Sequence, residues 1–183
     1  MITHVGLLRA INVGGNNILP MADLVKIYTA AGAKEVSTYI QSGNVLFSAS
    51  AAVAKQLPAK ITAALAKRDM KVPVVQRTAA ELAAVVKDNP FLRSKTTSLE
   101  RLYVAFLGAA PDAKAIASID PQRSPGDEHA IIGSHVFLHL NNGAGGTKLT
   151  VAYLDKQLAT TSTVRNWQTV LKLHALVTAS AKA

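Results

Sequence analysis

The chain has 183 residues, 49% of them hydrophobic and 17% charged, a composition that predicts one large or two small folded domains and argues against disorder. It contains no cysteine, which excludes disulfides and thiolate metal sites and fits a reducing cytoplasm. Its formal net charge of +9 favours anionic partners such as nucleic acid, phosphorylated metabolites or anionic lipid, the alternative being a basic surface without a partner.

Neither a leader nor a membrane segment is predicted. The apolar run from Val5 to Leu8 is short and is followed at once by Arg9, so we expect no signal peptide. No run of about 18 apolar residues occurs, which argues against a transmembrane helix. We therefore expect a cytoplasmic protein with no membrane partner.

The first half, residues 1–78, alternates strand and helix patterns. The predicted elements are a strand over 3–11, a helix over 20–31, a hairpin over 36–47, a helix over 52–69 and a strand over 72–77. In the hairpin, Ser42-Gly43 predicts a two-residue turn that pairs Gln41 with Asn44. The order β-α-β-β-α-β is that of the ferredoxin-like unit.

Residues 79–98 are predicted to be a connecting helix and the loop "NPFLRS", and 99–183 form a second half. Its predicted elements are a strand over 101–107, a helix over 111–119, a hairpin over 127–140, a helix over 147–158 and a last helix over 164–178. The hairpin pairs His139 with Glu128 as a surface contact. Because no closing strand is evident, this half is predicted to be a degenerate ferredoxin-like unit that ends in a helix. The predicted fold class is thus α+β, with two ferredoxin-like (βαββαβ) units in tandem.

The stretch "LLRAINVGGNNILP" over 7–20 leads from a strand into a helix. It lacks the third glycine of GxGxxG and the Gly-Lys-Ser/Thr of a P-loop. Backbone amides near Gly14-Gly15 and the following helix N-terminus can bind an anion, or the glycines only allow a sharp turn. Arg9 is predicted to lie on an apolar strand face, so it must be paired or lie at the end of the sheet, where it can reach water. The partner would be either a bound ligand or a structural carboxylate such as Asp23 or Glu35.

Two further segments carry candidate binding residues. In "NNGAGGTKL", Thr147 or Gly146 is predicted to cap a helix with Lys148 in its first turn, although the order of residues is not that of a P-loop. In the last helix Ser162 or Thr163 is the predicted cap, and Arg165 would lie in the first turn, where the helix dipole disfavours a cation unless an anion is bound. An exposed, slightly unfavourable arginine is the alternative.

The usual catalytic and metal-binding patterns are missing from the sequence. His135 and His139 would lie roughly 13 Å apart on one strand face, too far for one metal ion. No GxSxG motif occurs, and Asp155 is interpreted as part of an ion pair on a helix surface, beside Lys156 and Lys148. With only 5% aromatic residues, base stacking on a sheet is weakly supported, whereas binding to a nucleic-acid backbone needs charge alone.

The segments "LLRAINVGGNN", "TYIQSGNVLF", "NPF", "TKLTVAYLDKQL" and "TVRNWQTVLKL" resemble the bacterial family called domain of unknown function 1697. The resemblance covers about residues 4–177 and implies tandem ferredoxin-like halves, but no reaction. Members commonly carry glycine after the arginine, where Ala10 stands here, and asparagine after the tryptophan, where Gln168 stands.

These observations lead to three hypotheses. The first is a binding protein for an anionic, phosphate-bearing ligand in a cleft between the halves, with no cofactor and no metal. The second is a metal-independent enzyme on a phosphorylated or nucleotide substrate, and the third is a charge-driven nucleic-acid-binding protein. The predicted ligand-binding residues are Arg9, Asn12, Gly14, Gly15, Asn16, Gln41, Asn44, Lys148, Arg165 and Asn166.

Overall fold

A computed structural model describes residues 1–15, 17–93 and 97–180. It is a mixed α+β structure with two four-stranded antiparallel sheets, which confirms the predicted class. The chain divides into two compact units, Met1–Ala83 with the residues from Leu173 onward, and Ala84–Lys172. In the described part of the chain no helix has both the length and the apolar character needed to cross a membrane.

The first unit contains one sheet and two helices that follow its first and third strands. Its elements are β1 (Ile2–Leu8), α1 (Met21–Ala30), β2 (Lys34–Tyr39), β3 (Asn44–Ala49), α2 (Ala51–Ala66) and β4 (Val74–Thr78). The strand order is β2-β3-β1-β4, and every neighbouring pair is antiparallel. The unit also includes the end of the last helix.

One face of this first sheet forms the main core of the unit. Leu8 of β1 and Phe47 of β3 pack with fully buried side chains of α1 and α2, among them Leu24 and Ile61. Ser50 caps α2 by accepting a hydrogen bond from the Val53 amide. The amphipathic pattern of the two helices therefore explains which face of the sheet they cover.

Gly6 lies in the middle of β1 because Tyr28 of α1 occupies the space above it. A Cβ atom at position 6 would collide with the Tyr28 hydroxyl. Tyr28 is fully buried, and within the described chain its hydroxyl has no hydrogen-bond partner. Burial raises the pKa of Tyr28 well above its usual value, because the phenolate would be desolvated.

The second unit repeats the same order of strands with shorter helices. Its elements are α3 (Ala79–Asp88), two 3₁₀ turns (Pro90–Arg93 and Leu99–Arg101), β5 (Leu102–Leu107), α4 (Ala113–Ala117), β6 (Glu128–Ile132), β7 (His135–His139), α5 (Gly143–Gly146), α6 (Val151–Leu158), β8 (Ser162–Asn166) and α7 (Trp167–Ser180). The unit boundaries fall inside α3 and α7. The sheet order is β6-β7-β5-β8, and Ala105 and Leu107 pack with Leu154 and Leu158 of α6.

The predicted end of the second half is wrong, because a closing strand is present. β8 pairs with β5 over five residues, with Arg165 opposite Val104. The last helix begins at Trp167 rather than 164, and Asn166, not Ser162 or Thr163, caps it by accepting a hydrogen bond of 2.8 Å from the Thr169 amide. The residues from Thr160 to Val164 favour a strand, and pairing with β5 outweighs the helical spacing of Val164 and Trp167.

The predicted two-residue turn in the first hairpin is also wrong. Tyr39 pairs with Asn44, which leaves a four-residue loop from Ile40 to Gly43. Asn44 stabilises this longer loop, since its Nδ2 donates to Tyr39 O at 3.1 Å and to Ser42 Oγ at 2.9 Å. The register differs from the predicted one by two residues, so the side chains that remain in the strands keep the same faces.

Candidate functional site

The predicted ligand-binding residues are divided between the two units, and each set is described within its own unit. The first unit holds Arg9, Asn12, Gly14, Gly15, Gln41 and Asn44. The second holds Lys148, Arg165 and Asn166. Asn16 lies outside the described residues.

The segment from Ala10 to Asn17, which we call the glycine loop, lies between β1 and α1, and its described residues have an unusual backbone conformation. A positive φ occurs at Ala10, Asn12, Gly14, Gly15 and Asn17. Apart from the glycine itself and its neighbours in the chain, no described residue has an atom within 4 Å of where a Cβ of Gly14 or Gly15 would lie. Packing therefore does not require glycine at these two positions, because a side chain would have space. The left-handed backbone conformation does favour glycine there.

Hydrogen bonds within the loop hold it in place. Asn12 Oδ1 accepts from the Leu19 amide at 2.7 Å, while its Nδ2 donates to Leu19 O at 3.0 Å and to Gln41 O at 2.9 Å. Asn17 Nδ2 donates to Ala10 O at 3.0 Å. Both amide hydrogens of Asn12 are therefore used, so its side chain holds the loop in shape.

Arg9 lies directly before the glycine loop and is half-buried. Its backbone amide donates to Pro73 O at 3.1 Å, which continues the pairing of β1 with the chain before β4. The two carboxylates that we considered as structural partners are engaged elsewhere: Asp23 with Arg68 and Lys26, and Glu35 with the Ser48 hydroxyl.

The hairpin tip is joined to the glycine loop, but its polar groups differ in exposure. Asn44 is fully buried and holds the hairpin, whereas the Gln41 side chain is exposed. Gly43 has a φ of +73°, and a Cβ there would lie 2.8 Å from the Leu8 Cβ. Gly43 O also accepts from the Leu8 amide, so a close backbone approach, in addition to the turn, requires this glycine.

Three large apolar side chains around this loop face solvent. Val13 is 60% exposed, Ile18 is 73% exposed and Ile40 at the hairpin tip is 50% exposed. Val13 and Ile18 flank the two glycines in the sequence, and the hairpin tip is tied to the loop by the bond from Asn12 to Gln41. This end of the first unit therefore combines two exposed glycines with exposed apolar surface.

Arg165 lies on β8 and not in the first turn of a helix, so the helix-dipole argument made for it does not apply. It shares a strand face with the fully buried Val104, on the side of the sheet away from the core that Ala105 enters. Its Nη1 donates to Thr163 Oγ1 at 2.8 Å and to Val164 O at 2.9 Å, which are neutral acceptors. Desolvation lowers the pKa of Arg165 to about 10.

The first unit carries a matching arginine that we did not predict. Arg77 lies on the fourth strand opposite Val5, just as Arg165 lies on the fourth strand of its own unit opposite Val104. Arg77 is only 6% exposed, and its Nη1 donates to Gln76 O at 2.7 Å. Burial lowers its pKa, and the charge of Glu81 partly opposes this. The alternation of Val75 and Arg77 along β4 is the sequence signal that points to this buried face.

The second glycine stretch already binds a carboxylate of its own chain. Asp127 accepts hydrogen bonds from the Asn142 amide at 2.9 Å and from Ser124 Oγ at 2.7 Å. Burial alone would raise the pKa of Asp127, but the bonds from Asn142, Thr147 and Ser124 together lower it below its usual value. The stretch is therefore organised around an internal anion.

The helix predicted over 147–158 begins later than expected. Thr150 caps α6 by accepting a hydrogen bond from the Tyr153 amide, so neither Thr147 nor Gly146 is its cap. Lys148 lies outside the helix, with an exposed side chain, and its backbone amide donates to Ser124 Oγ at 2.9 Å. The Lys148 amide is bonded to the loop over 124–127 and does not take part in the helix. Because that loop lies well before residue 147 in the sequence, the local pattern does not show this contact.

Asn166 lines a small cavity of about 200 Å³ together with Leu99, Glu100, Trp167 and Gln168. Its side-chain oxygen caps α7, as described above, which accounts for this residue type without a ligand. The Glu100 carboxylate in the wall disfavours an anion there. Trp167 is 1% exposed, as expected for a core residue.

Other titratable groups have local partners. The predicted contact of His139 with Glu128 is confirmed, with 2.8 Å between Nδ1 and Oε2. Asp155, interpreted as part of a surface ion pair, accepts a hydrogen bond of 2.6 Å from the buried Ser162 hydroxyl. Among the described residues, no three histidine, aspartate or glutamate side chains are grouped closely enough to hold a metal ion.

Comparisons with known proteins identify relatives by sequence and by fold. The model of the family DUF1697, described as protein of unknown function, matches residues 1–137. The structure of the conserved bacterial protein SP0830 from Streptococcus pneumoniae is similar, with a TM-score of 0.73, 20% sequence identity and coverage of 96% of this chain and 98% of that one. No curated protein gives a significant match.

Proposed function

The chain belongs to the DUF1697 family of proteins of unknown function, and we propose that it binds an anionic, phosphate-bearing small molecule at the glycine loop of the first unit. The observation that carries the proposal is an exposed loop that its own hydrogen bonds hold in a strained conformation beside Arg9. A loop held in one conformation binds a ligand with less loss of entropy than a flexible one.

The strain itself supports a binding role. Ala10, Asn12 and Asn17 all have a positive φ, which costs an ordinary L residue about 1–2 kcal/mol. Strained residues of this kind cluster at ligand-binding positions, where the surrounding structure keeps them in place. Asn tolerates the conformation better than Ala does, so the largest cost falls on Ala10.

The charges around the loop favour an anion over a cation. The sequence from Leu7 to Ala22 contains no aspartate or glutamate, and Arg9 stands at its start. Three residues after the loop, α1 begins, and Pro20 before it provides no side-chain cap. The first amides of the helix and its dipole attract negative charge at this point. Asp23 in the first turn already supplies one negative charge, which Arg68 partly neutralises.

The exposed apolar residues extend the proposed ligand beyond a bare phosphate. Val13, Ile18 and Ile40 provide apolar surface at the same end of the unit. A ligand that carries an apolar or aromatic group next to its anion, as a nucleotide does, would use both features. An enzyme that acts on such a substrate by electrostatic stabilisation would use the same residues.

We also propose that each unit is ferredoxin-like. In both units the strand order is second, third, first, fourth, with helices after the first and third strands. The second unit is the degenerate one, because α4 has 5 residues and α6 has 8, against 10 and 16 for α1 and α2.

The test is thermal unfolding of the full chain in the presence of inorganic phosphate, sugar phosphates and nucleotides. A ligand at 100 times its Kd adds about 2.7 kcal/mol of stability, which is a rise in Tm of roughly 5–10 °C at this size. We expect such a rise for at least one phosphate compound, and we expect Arg9→Gln to abolish it.

Lys60→Gln is the matched control, because it removes one exposed positive charge from α2 without touching the loop. It should leave the ligand-induced rise unchanged. Equal rises in the Arg9→Gln variant and the wild type, or no rise with any phosphate compound, would show that the glycine loop is only a connection.

A further inference from the structure

Asn89 is a buried polar residue of the second unit, and only one end of its side-chain amide makes a hydrogen bond. It follows α3 in the "NPF" segment and is 4% exposed. Its Oδ1 accepts from the Phe91 amide at 3.1 Å, and its backbone O accepts from the Leu92 amide at 3.3 Å. Among the described residues, its Nδ2 has no hydrogen-bond acceptor.

The bond from Phe91 fixes which end of the amide is left without a partner. If the side chain were flipped, its NH₂ group would face the Phe91 N–H, so the oxygen must point there. A buried donor without an acceptor is costly and rare in folded proteins. Aspartate would accept from the Phe91 amide equally well and has no donor to satisfy, so the amide indicates an acceptor supplied from outside the chain.

The surroundings of Asn89 identify what kind of acceptor fits. Asn89 lines an open cavity of about 420 Å³ whose other walls are Lys87, Asp88, Leu92, Arg93 and Ile132. Lys87 and Arg93 are exposed cations, against the single carboxylate of Asp88. Leu92 and Ile132 are 40% and 42% exposed, so the cavity also has an apolar wall that faces solvent.

We propose that this cavity binds an oxyanion carried on an apolar group, namely an aryl or acyl carboxylate or phosphate ester. One oxygen of the anion accepts from Asn89 Nδ2, and Lys87 and Arg93 neutralise its charge. The apolar part of the ligand covers Leu92 and Ile132. Asp88 and the carboxyl end of α3 oppose an anion, but the two full positive charges exceed the one full negative charge of Asp88 and the partial charge of the helix end.

The site is independent of the glycine loop. All its residues belong to the second unit, and they do not include any residue to which we assign phosphate binding. A variant that loses ligand binding at one of the two sites can therefore still be tested for binding at the other.

The experiment is a titration of the ¹⁵N-labelled full chain, followed through the side-chain NH₂ resonances of asparagine. The probes are benzoate, phenyl phosphate, inorganic phosphate and benzyl alcohol. We expect benzoate or phenyl phosphate to shift the Asn89 NH₂ resonance in a saturable way, and the relative affinity of the two distinguishes carboxylate from phosphate. Inorganic phosphate lacks the apolar contact and benzyl alcohol lacks the charge, so each should bind at least about tenfold more weakly.

Three variants complete the test. Asn89→Asp identifies the resonance by its disappearance, keeps the bond from Phe91 and should abolish binding. Arg93→Gln changes an exposed residue and should weaken binding at least about tenfold even if Asn89→Asp fails to fold. Lys60→Gln, which removes an exposed charge from α2 of the first unit, should bind like the wild type. An Asn89 resonance that none of the probes shifts, or unchanged affinity in Arg93→Gln, would overturn the proposal.

Discussion

Ala10 has a φ of +54°, in the left-handed region where a Cβ atom is unfavourable. Glycine, which the family resemblance led us to expect at this position, adopts this conformation without that cost. The strain belongs to the loop and not to crowding by neighbours, since the side chain is exposed.

Ala10→Gly is expected to stabilise the protein by about 0.5–1 kcal/mol, because relief of the strained φ exceeds the entropy that glycine adds to the unfolded chain. Urea unfolding measures the change. Ala63→Gly in the exposed middle of α2 is the control, and it should destabilise by up to about 1 kcal/mol. If Ala10→Gly destabilised the protein as much as Ala63→Gly does, φ at position 10 would not be strained.

The sequence allowed us to choose the glycine loop as a candidate site but not to assign its residues. Asn12 and Asn44 are predicted ligand-binding residues, and in the structure both hold backbone groups of the loop and hairpin, a role that the sequence did not predict. The backbone oxygens that accept from these two side chains belong to Leu19, Gln41 and Tyr39. The local sequence pattern does not show that these residues lie close to Asn12 or Asn44. Arg77 was not predicted as a buried arginine for a related reason. Its burial depends on pairing with Val5, which is distant in the sequence.

At the scale of elements, local pattern predicted most helices and strands but failed where long-range pairing decides. α3 occurs over 79–88 as predicted, since its apolar residues recur with helical spacing. β8 was predicted as helix because Val164, Trp167 and Leu171 have the same spacing. Only the partner strand β5, about 60 residues earlier in the chain, distinguishes the two structures.

Asp127 holds the loop over 124–127 to the second glycine stretch, so its charge is expected to stabilise this connection. Asp127→Asn should cost about 1–3 kcal/mol at pH 7, because hydrogen bonds to a charged acceptor are lost and an NH₂ group faces other donors. The folded pKa of Asp127 is below the unfolded one of about 3.9, so its contribution is present above that pH and is lost as the pH falls through the folded value.

Urea unfolding of both proteins at pH 7 and at pH 3 measures this dependence. The difference between wild type and Asp127→Asn should shrink at the lower pH. Glu100→Gln removes an exposed carboxylate and serves as the control, with a cost below about 0.5 kcal/mol at both pH values. If the loss of unfolding free energy caused by Asp127→Asn did not change with pH, the effect would come from the geometry of the side chain and not from its charge.

At the scale of the whole molecule, the net charge of +9 predicts weak binding to any single-stranded nucleic acid. We expect a Kd of about 10⁻⁴–10⁻⁶ M at physiological salt, rising steeply with salt because the contacts are to phosphates. Fluorescence anisotropy with a labelled oligonucleotide at 50 and 300 mM salt measures it, and Arg9→Gln should change the Kd less than threefold. Tight binding that salt does not weaken would instead indicate base recognition.

Composition and alternation in the sequence were sufficient for the α+β class, and the long motifs were sufficient for the family, both of which are confirmed. The division of the chain was harder to predict. The last helix was placed wholly in the second half, whereas its residues from Leu173 onward belong to the first unit. Such a contribution depends on packing between distant parts of the chain. A local pattern of apolar residues shows that a helix face is buried but not which distant segment it packs against.

This division of α7 has a consequence for biosynthesis. The first unit consists of residues at both ends of the chain, with the whole second unit between them. During translation its N-terminal part emerges first but must wait for Leu173 and Val177, which are fully buried, before its packing is complete. A ribosome that stalls before this point holds an unfinished first unit, while the strands of the second are already available to pair.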